Sequence, residues 1–242
     1  MANHFFRFKQ FTVYQEKCAM KVGTDGVLLG AWCSIEGKKR VLDIGTGTGL
    51  ISLMIAQRNE EVIIDALEID DDAAIQAADN FGRSPWADRL TAIRSDFMEY
   101  MPSQAIKYDL IVSNPPYFEN SLKADCGKRT QARHTDTLSF EDLLLHASRL
   151  LSPEGVLSLV YPIDIDEKVQ RQALLNGLIC NRQTFVKGNP TANPKRVLSE
   201  FIWNPNDQNV DNPCRSELVV ELDRHLYSDA YIALTRDFYL KM

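Results

Sequence analysis

The chain has 242 residues, 45% apolar and 25% charged, with a net charge of −6; that length suits one α/β domain with a substantial core, and that composition a globular protein in water. It holds no run of about 18 apolar residues to span a bilayer, and its first seven residues carry neither the apolar stretch nor the cleavage site of a secretory signal, so membrane and secreted classes are not expected. The five cysteines (18, 33, 126, 180, 214) are odd in number, scattered and without a C-x-x-C, which predicts neither a disulfide framework nor a zinc centre and fits a reducing cytoplasm.

In chain order, residues 5–14 are dense in aromatics. With Leu28 and Leu29 they read as core packing of an N-terminal helix, and for Phe8 and Phe11 packing is favoured over stacking on a base. Five apolar runs follow, at 41–44, 62–67, 90–93, 109–112 and 155–160, and read as buried strands. Between them, residues near 49–58, 71–81, 139–151 and 165–176 have apolar positions at helical spacing, with Ser139 and Asp142 as an S-x-x-D start signal. Strand alternating with helix predicts a doubly wound parallel sheet, whose ligands bind outside the C-terminal ends of the strands. The β-rich runs near 178–187 and 196–203 add an antiparallel edge. The loop at 204–213 (NPNDQNVDNP) is no domain linker, because the roughly 30 residues after it are too few to fold alone. One domain over 1–242 is expected.

The charges are unevenly spread. Residues 59–72 hold seven acids and no base, whereas 118–134 place Lys123, Lys128, Arg129 and Arg133 against Glu119 and Asp125, and 187–196 hold Lys187, Lys195 and Arg196 with no acid. Both a solvated face and an anion contact explain such clusters. The acidic total counts against nucleic acid, so a nucleic-acid partner would need its positive charge concentrated locally.

At 41–50 the sequence VLDIGTGTGL runs a strand into a glycine-rich turn and a helix, so that backbone approaches a ligand at a helix N-terminus. The D-x-G-x-G-x-G spacing differs from the dinucleotide form G-x-G-x-x-G, and no pyrophosphate is invoked. Glu68 ends the second strand 19 residues beyond Gly49, where an acidic side chain accepts hydrogen bonds from both ribose hydroxyls. Two unrelated loops are the alternative; the ordered pair of turn and strand-end Glu weighs against it. The third strand ends in Arg94-Ser95-Asp96-Phe97 and the fourth in SNPPYFE at 113–119, so all four ends fall on one sheet edge.

In that order the motifs resemble those of the class I S-adenosylmethionine-dependent methyltransferases. The resemblance implies a Rossmann-like, mostly parallel seven-stranded sheet with an antiparallel edge strand, and S-adenosyl-L-methionine as cofactor without a metal. It implies that Asp43, Gly45, Gly47 and Gly49 hold the methionine part, Glu68 the ribose, and Asp96 the adenine amino group beside Phe97, with Asn114 at the same site. N-P-P-Y is similar to the motif of enzymes that methylate planar nitrogen, namely adenine N6, guanine N2 or a glutamine amide. Two prolines end a strand because they lack an N–H, which leaves Asn114 and Tyr117 to be explained. The Asn114 amide oxygen and the Pro115 carbonyl, both aimed at one –NH₂, oppose its conjugation with the ring and localise the lone pair for attack on the sulfonium methyl. Tyr117 stacks on the flat substrate, a contact of roughly 1–3 kcal/mol.

Residues 5–15 and 21–32, with DFYLKM at 237–242, resemble one branch over essentially the whole chain: the bacterial valine-tRNA adenine-N6 methyltransferases, which modify the adenine 3′ of the anticodon. That likeness implies a tRNA partner and no obligate protein partner. It implies that residues 1–38 form an N-terminal extension packing over the cofactor site, with Lys21 and Thr24 in a turn that closes on the methionine moiety. The cations expected to meet phosphate are Lys123, Lys128, Arg129 and Arg133, with Lys195 and Arg196 as a second contact.

The alternatives fit less well. A glutamine methyltransferase of release factors shares N-P-P-Y but carries a helical domain for which the roughly 40 residues before the glycine turn leave no room. A nicotinamide oxidoreductase would leave 114–117 without a role, and a non-catalytic RNA-binding module would not need the Asp43, Glu68 and Asn114 set. DNA adenine methylation is harder to separate, although the chain lacks length for a target-recognition domain. His4, His134, His146, His225 and Cys126 have no catalytic spacing, and no covalent intermediate is expected.

Overall fold

A computed structural model describes residues 3–102, 106–115, 138–204 and 213–242. The N-terminal stretch forms a two-stranded hairpin, β1 (Phe5–Arg7) and β2 (Thr12–Tyr14), followed by α1 (Thr24–Trp32). The alternation then runs β3 (Arg40–Ile44), α2 (Leu50–Arg58), β4 (Ile63–Glu68), α3 (Asp71–Gly82), β5 (Leu90–Arg94), β6 (Tyr108–Ser113), α4 (Phe140–Leu150), β7 (Leu151–Pro162) and α5 (Asp166–Leu175). β8 (Leu178–Lys187), β9 (Arg196–Trp203), β10 (Cys214–Val219), a small hairpin of β11 (Glu221–Asp223) and β12 (Leu226–Tyr227), and α6 (Asp229–Thr235) complete the chain.

The central sheet has the order β10-β8-β9-β7-β6-β3-β4-β5. β3 to β7 are parallel, β9 is antiparallel to both β7 and β8, and β10 is parallel to β8. The mostly parallel α/β sheet is as expected, with two corrections. Among the described residues eight strands join it rather than seven, and the reversed strand is interior rather than at the edge. The extra strand is β10, from the tail after the 204–213 loop. Its sequence CRSELV is mostly exposed and has no apolar run, because it lies at the rim and needs burial on one side only.

The two-residue period of the strands divides the apolar side chains between two cores. Val41, Ile64, Leu110 and Val112 face α1 and α2, whereas Leu42, Ile44, Ile111 and Leu157 face α4 and α5. α4 starts as its capping signal requires: Ser139 Oγ accepts from the Asp142 N–H at 3.1 Å and donates to the Asp142 carboxylate at 2.7 Å. Phe8 and Phe11 are in the core as expected, but on a hairpin rather than a helix, and Phe5 at its start is exposed. Phe8 and Phe11 stack on each other at 4.6 Å, with Phe8 also stacked on Tyr239, so neither ring is free to meet a base. Alternation in TVY over three residues is too short a signal to declare a strand.

Candidate active site

Strand register assembles the site. Ile44 of β3 lies opposite Leu67 of β4 and Ser113 of β6, so the next residues, Gly45, Glu68 and Asn114, leave three adjacent strands side by side. Glu68 in turn lies opposite Arg94 of β5, and the Ser95 N–H bonds the Glu68 carbonyl at 3.0 Å, bringing Asp96 to the same edge. Ser113 Oγ donates to the Ile44 carbonyl at 2.8 Å and ties the N-P-P-Y strand to the glycine turn.

The turn depends on left-handed backbone at Gly45, Gly47 and Gly49, with φ of 70°, 56° and 81°. Gly49 faces inward, where an added Cβ would come within 2.5 Å of the Phe81 ring; at Gly45 and Gly47 it would meet nothing within 4 Å among the described residues. The turn is therefore packed on one side and open on the other. Asp43 beneath it is fully buried, and its Oδ2 accepts from Thr46 Oγ1 and Ser52 Oγ, both at 2.7 Å. Oδ1 is enclosed without a partner of hydrogen-bonding geometry among the described residues. Burial pushes the Asp43 carboxyl up from 3.8 to about 6, against the downward pull of the Ser52 and Thr46 hydrogen bonds. Asp43 thus braces the turn from below through Thr46 and Ser52.

Glu68 is half-buried and aimed by backbone. Oε1 accepts from the N–H groups of Ile69 and Asp70 at 2.9 and 3.1 Å, and Oε2 from that of Gly47 at 2.9 Å. A carboxylate offers about four acceptor sites. One ribose hydroxyl can be received directly; a second competes with Gly47. Asp96, also half-buried, accepts from the Met98 N–H at 2.8 Å. The Phe97 ring packs into the core below, 6.1 Å edge-on from His146.

Asn114 is half-buried and Pro115 buried. Tyr117, Lys123, Lys128, Arg129 and Arg133 lie outside the described residues. Lys21 and Thr24 are exposed, Thr24 in the first turn of α1. The pairing of Pro162 with Arg196 puts Lys195 and Arg196 on the same edge of the sheet as Asn114. Arg196 Nε is 2.8 Å from Asp25 Oδ2, so this expected phosphate contact is engaged within the protein, whereas Lys195 is exposed. Asn80 and Gln76 of α3 went unnoticed in the sequence. Asn80 donates to the Thr48 carbonyl in the glycine turn at 2.8 Å, and Gln76 accepts from the Lys17 N–H at 3.4 Å. The available signal was two amides four residues apart on a face otherwise formed by Ala73, Ala77 and Phe81.

The family model for the methyltransferase small domain matches residues 27–189, more than half of the chain and all four strand ends. The chain belongs to that family. Over its whole length this methyltransferase is 52% identical to the tRNA1(Val) (adenine(37)-N6)-methyltransferase of Parabacteroides distasonis, with both chains fully covered. It is 48% identical to the protein of that name from Flavobacterium psychrophilum, over 98% of this chain and 100% of that one. Among solved structures, a predicted O-methyltransferase from Agrobacterium tumefaciens matches 88% of this chain and 96% of its own at a TM-score of 0.66 and 18% identity. A putative RNA methyltransferase from Pyrococcus horikoshii matches 78% and 88% at 0.55 and 17%; these two share the fold.

The residues present fit S-adenosyl-L-methionine. The open side of Gly45 and Gly47 leaves room beside backbone N–H groups, Glu68 offers a ribose acceptor, and Asp96 a half-exposed carboxylate where an amino group would lie. Among the described residues no group of three His, Cys, Asp or Glu side chains could hold a metal ion, and no helix is long and apolar enough to cross a membrane.

Proposed function

We propose that this methyltransferase modifies the exocyclic N6 amino group of an adenine in tRNA, the adenine 3′ of the anticodon in valine tRNA. The observation that carries the reading is the register that sets Asn114 beside Gly45, so that an amine held by the N-P-P-Y strand meets the open face of the cofactor turn. Full-length identity of 46–52% to relatives bearing that tRNA activity in their names supports the substrate. S-adenosylmethionine, when bound, supplies an electrophilic methyl group on a sulfonium.

The chain's own part is to position and to polarise. The Asn114 amide oxygen and the Pro115 carbonyl accept the two amine hydrogens, which turns the nitrogen lone pair out of the ring plane toward the glycine turn. Preorganised acceptors of this kind reorganise little during reaction, which is why such groups contribute strongly to rate. Glu68 fixes the ribose and Asp96 the adenine amino group of the cofactor, while Tyr117 stacks on the target base. A loop base suits this site, because an adenine in a duplex must be extruded at a cost of a few kcal/mol. Residues 1–38 serve as an extension of the single domain that closes over the cofactor, with Lys21 and Thr24 at its lip. The four described cysteines are unbridged, in keeping with a reducing cytoplasm.

The test is transfer of labelled methyl groups from S-adenosylmethionine into separate pools of unmodified tRNA, rRNA, DNA and protein, followed by nucleoside analysis. N6-methyladenosine in valine tRNA is expected. Preferential methylation of duplex DNA or protein would overturn the substrate.

A further inference from the structure

Asn80 lies on α3, 1% exposed, and directs its whole amide to main chain. Oδ1 accepts from the Tyr14 N–H at 2.9 Å, while Nδ2 donates to the Tyr14 carbonyl at 2.8 Å and to the Thr48 carbonyl at 2.8 Å. Tyr14 is the last residue of β2, and its two backbone groups point away from β1; Asn80 meets both, as a neighbouring strand would. A buried amide is costly unless every donor and acceptor is used, and here each is. Phe81, the next residue, packs against Gly49, so one turn of α3 holds the cofactor turn and the N-terminal hairpin together.

Beyond Tyr14 the chain crosses the cofactor edge as a strap. Gln15 closes it, donating to the Asn3 carbonyl at 2.9 Å and accepting from the Val22 N–H at 2.9 Å, just before α1. Within the strap Lys17 N–H meets Gln76, and Cys18 is buried close to Glu68 and Asp70. Its thiol is pushed up to about 11, first by burial and then by those two carboxylates. The strap therefore runs beside the ribose carboxylate, anchored at one end by Asn80 and at the other by Gln15.

We propose that Asn80 is a positioning residue that locks this strap to the glycine-rich turn, so that strap order and cofactor affinity are coupled through one amide. The proposal rests on the assignment of the turn to S-adenosylmethionine. If the strap loosens, cofactor escapes more readily, while Asn114 and the chemistry it performs are untouched.

The experiment compares wild type with Asn80→Asp, which keeps the acceptor for Tyr14 N–H but loses both donors, and with Asn80→Ala. Calorimetric affinity for S-adenosylhomocysteine, the KM for S-adenosylmethionine and kcat at saturating cofactor are measured beside amide hydrogen exchange. Affinity about tenfold weaker is expected for Asn80→Asp, with a matching rise in KM, kcat within about twofold and faster exchange confined to residues 14–22. Gln15→Ala, which releases the strap from its other end without touching α3, should give the same split at smaller size and keeps the test open if Asn80→Ala does not fold. Unchanged affinity in folded Asn80→Asp, or faster exchange spread evenly through the sheet, overturns the proposal in favour of a purely structural amide. Failure of wild type to bind S-adenosylhomocysteine removes the cofactor assignment, and the coupling falls with it.

Discussion

Glu68 and Asp96 on one half of the sheet edge are held differently from the cations on the other half. On the β3–β4–β5 side, Glu68 and Asp96 are aimed by backbone N–H groups at 2.8–3.1 Å. On the β7–β9–β8 side, Arg196 pairs with the Asp25 carboxylate and also donates to the Lys195 carbonyl, Lys187 pairs with the Glu217 carboxylate, and Lys195 pairs with no carboxylate among the described residues. Backbone fixes a carboxylate to within a rotamer, as a small ligand with two hydroxyls requires. Arg196 and Lys187 are held by side chains while Lys195 keeps its freedom, as a contact to a polyanion would need, where charge nearby matters more than one angle. The first half is built for geometry and the second for field.

If that contrast holds, the largest effect should come where geometry meets chemistry. Asn114→Ala should slow single-turnover methyl transfer by about 10²–10³ at saturating cofactor, the loss seen when one preorganised polar group is removed, while S-adenosylhomocysteine affinity stays near wild type. Normal chemistry in that variant would reduce the motif to a turn.

Asp43 tests the foundation of the same half. Its carboxyl is raised in the folded protein from 3.8 to about 6, so the native state holds the proton more tightly than the unfolded chain. This group's contribution to stability is therefore greatest below pH 3.8, falls as pH rises toward about 6, and is fully lost above it, a change of about 3 kcal/mol. Asp43→Asn keeps an acceptor for Thr46 and Ser52 without the charge. Urea unfolding of both proteins without cofactor should show the wild type losing stability relative to the variant across that window. Parallel curves would mean that the carboxylate is not enclosed.

The contrast also explains what was legible in the sequence. Buried parallel strands must be continuous apolar runs, so 41–44, 62–67, 90–93 and 109–112 each lie within a residue or two of a strand, and the chain leaves the first through glycines and the last through prolines. Elsewhere the signals were uneven. The runs 178–187 and 196–203 coincide with β8 and β9, whereas β10 is exposed, β1 and β2 of the separate hairpin are three residues each, and the interior place of the reversed β9 depends on pairing that no local pattern encodes. Within the site the residue types were readable but not their orientation. Asp43 and Phe97 carry motif positions, yet the Asp43 carboxylate turns to Thr46 and Ser52 under the glycine turn and the Phe97 ring to the core. Asn80 showed only as an amide on an apolar helix face, and its role is declared only by the backbone it meets.

Glu68 should show a somewhat smaller effect than Asn114 and a different one. Glu68→Ala removes a charged acceptor, with an expected loss of about 1.5–3 kcal/mol in cofactor affinity, and also frees the N–H groups of Gly47, Ile69 and Asp70. Calorimetry should show weaker binding and hydrogen exchange a looser turn. Unchanged affinity would mean that the carboxylate serves the backbone alone.

The smallest effect is expected from the loosely held side, and it separates two cations that adjoin in sequence. Lys195 is exposed and its ammonium meets no carboxylate among the described residues, so nothing in the fold should depend on it. If it contacts phosphate, Lys195→Gln should weaken tRNA binding only modestly, lower the log–log salt slope by about 0.7–0.9 and leave thermal stability and cofactor affinity unchanged. Arg196→Gln breaks the pair with Asp25 in the first turn of α1, and that pair lies partly buried on both sides. Its signature should therefore be mixed, with a change in stability or in exchange at the start of α1 beside any change in salt slope. Filter binding across a salt series, with melting curves of the same proteins, distinguishes the two. An unaltered slope in Lys195→Gln would return that lysine to solvent, and identical signatures for both variants would end the distinction between held and free charge on this side of the sheet.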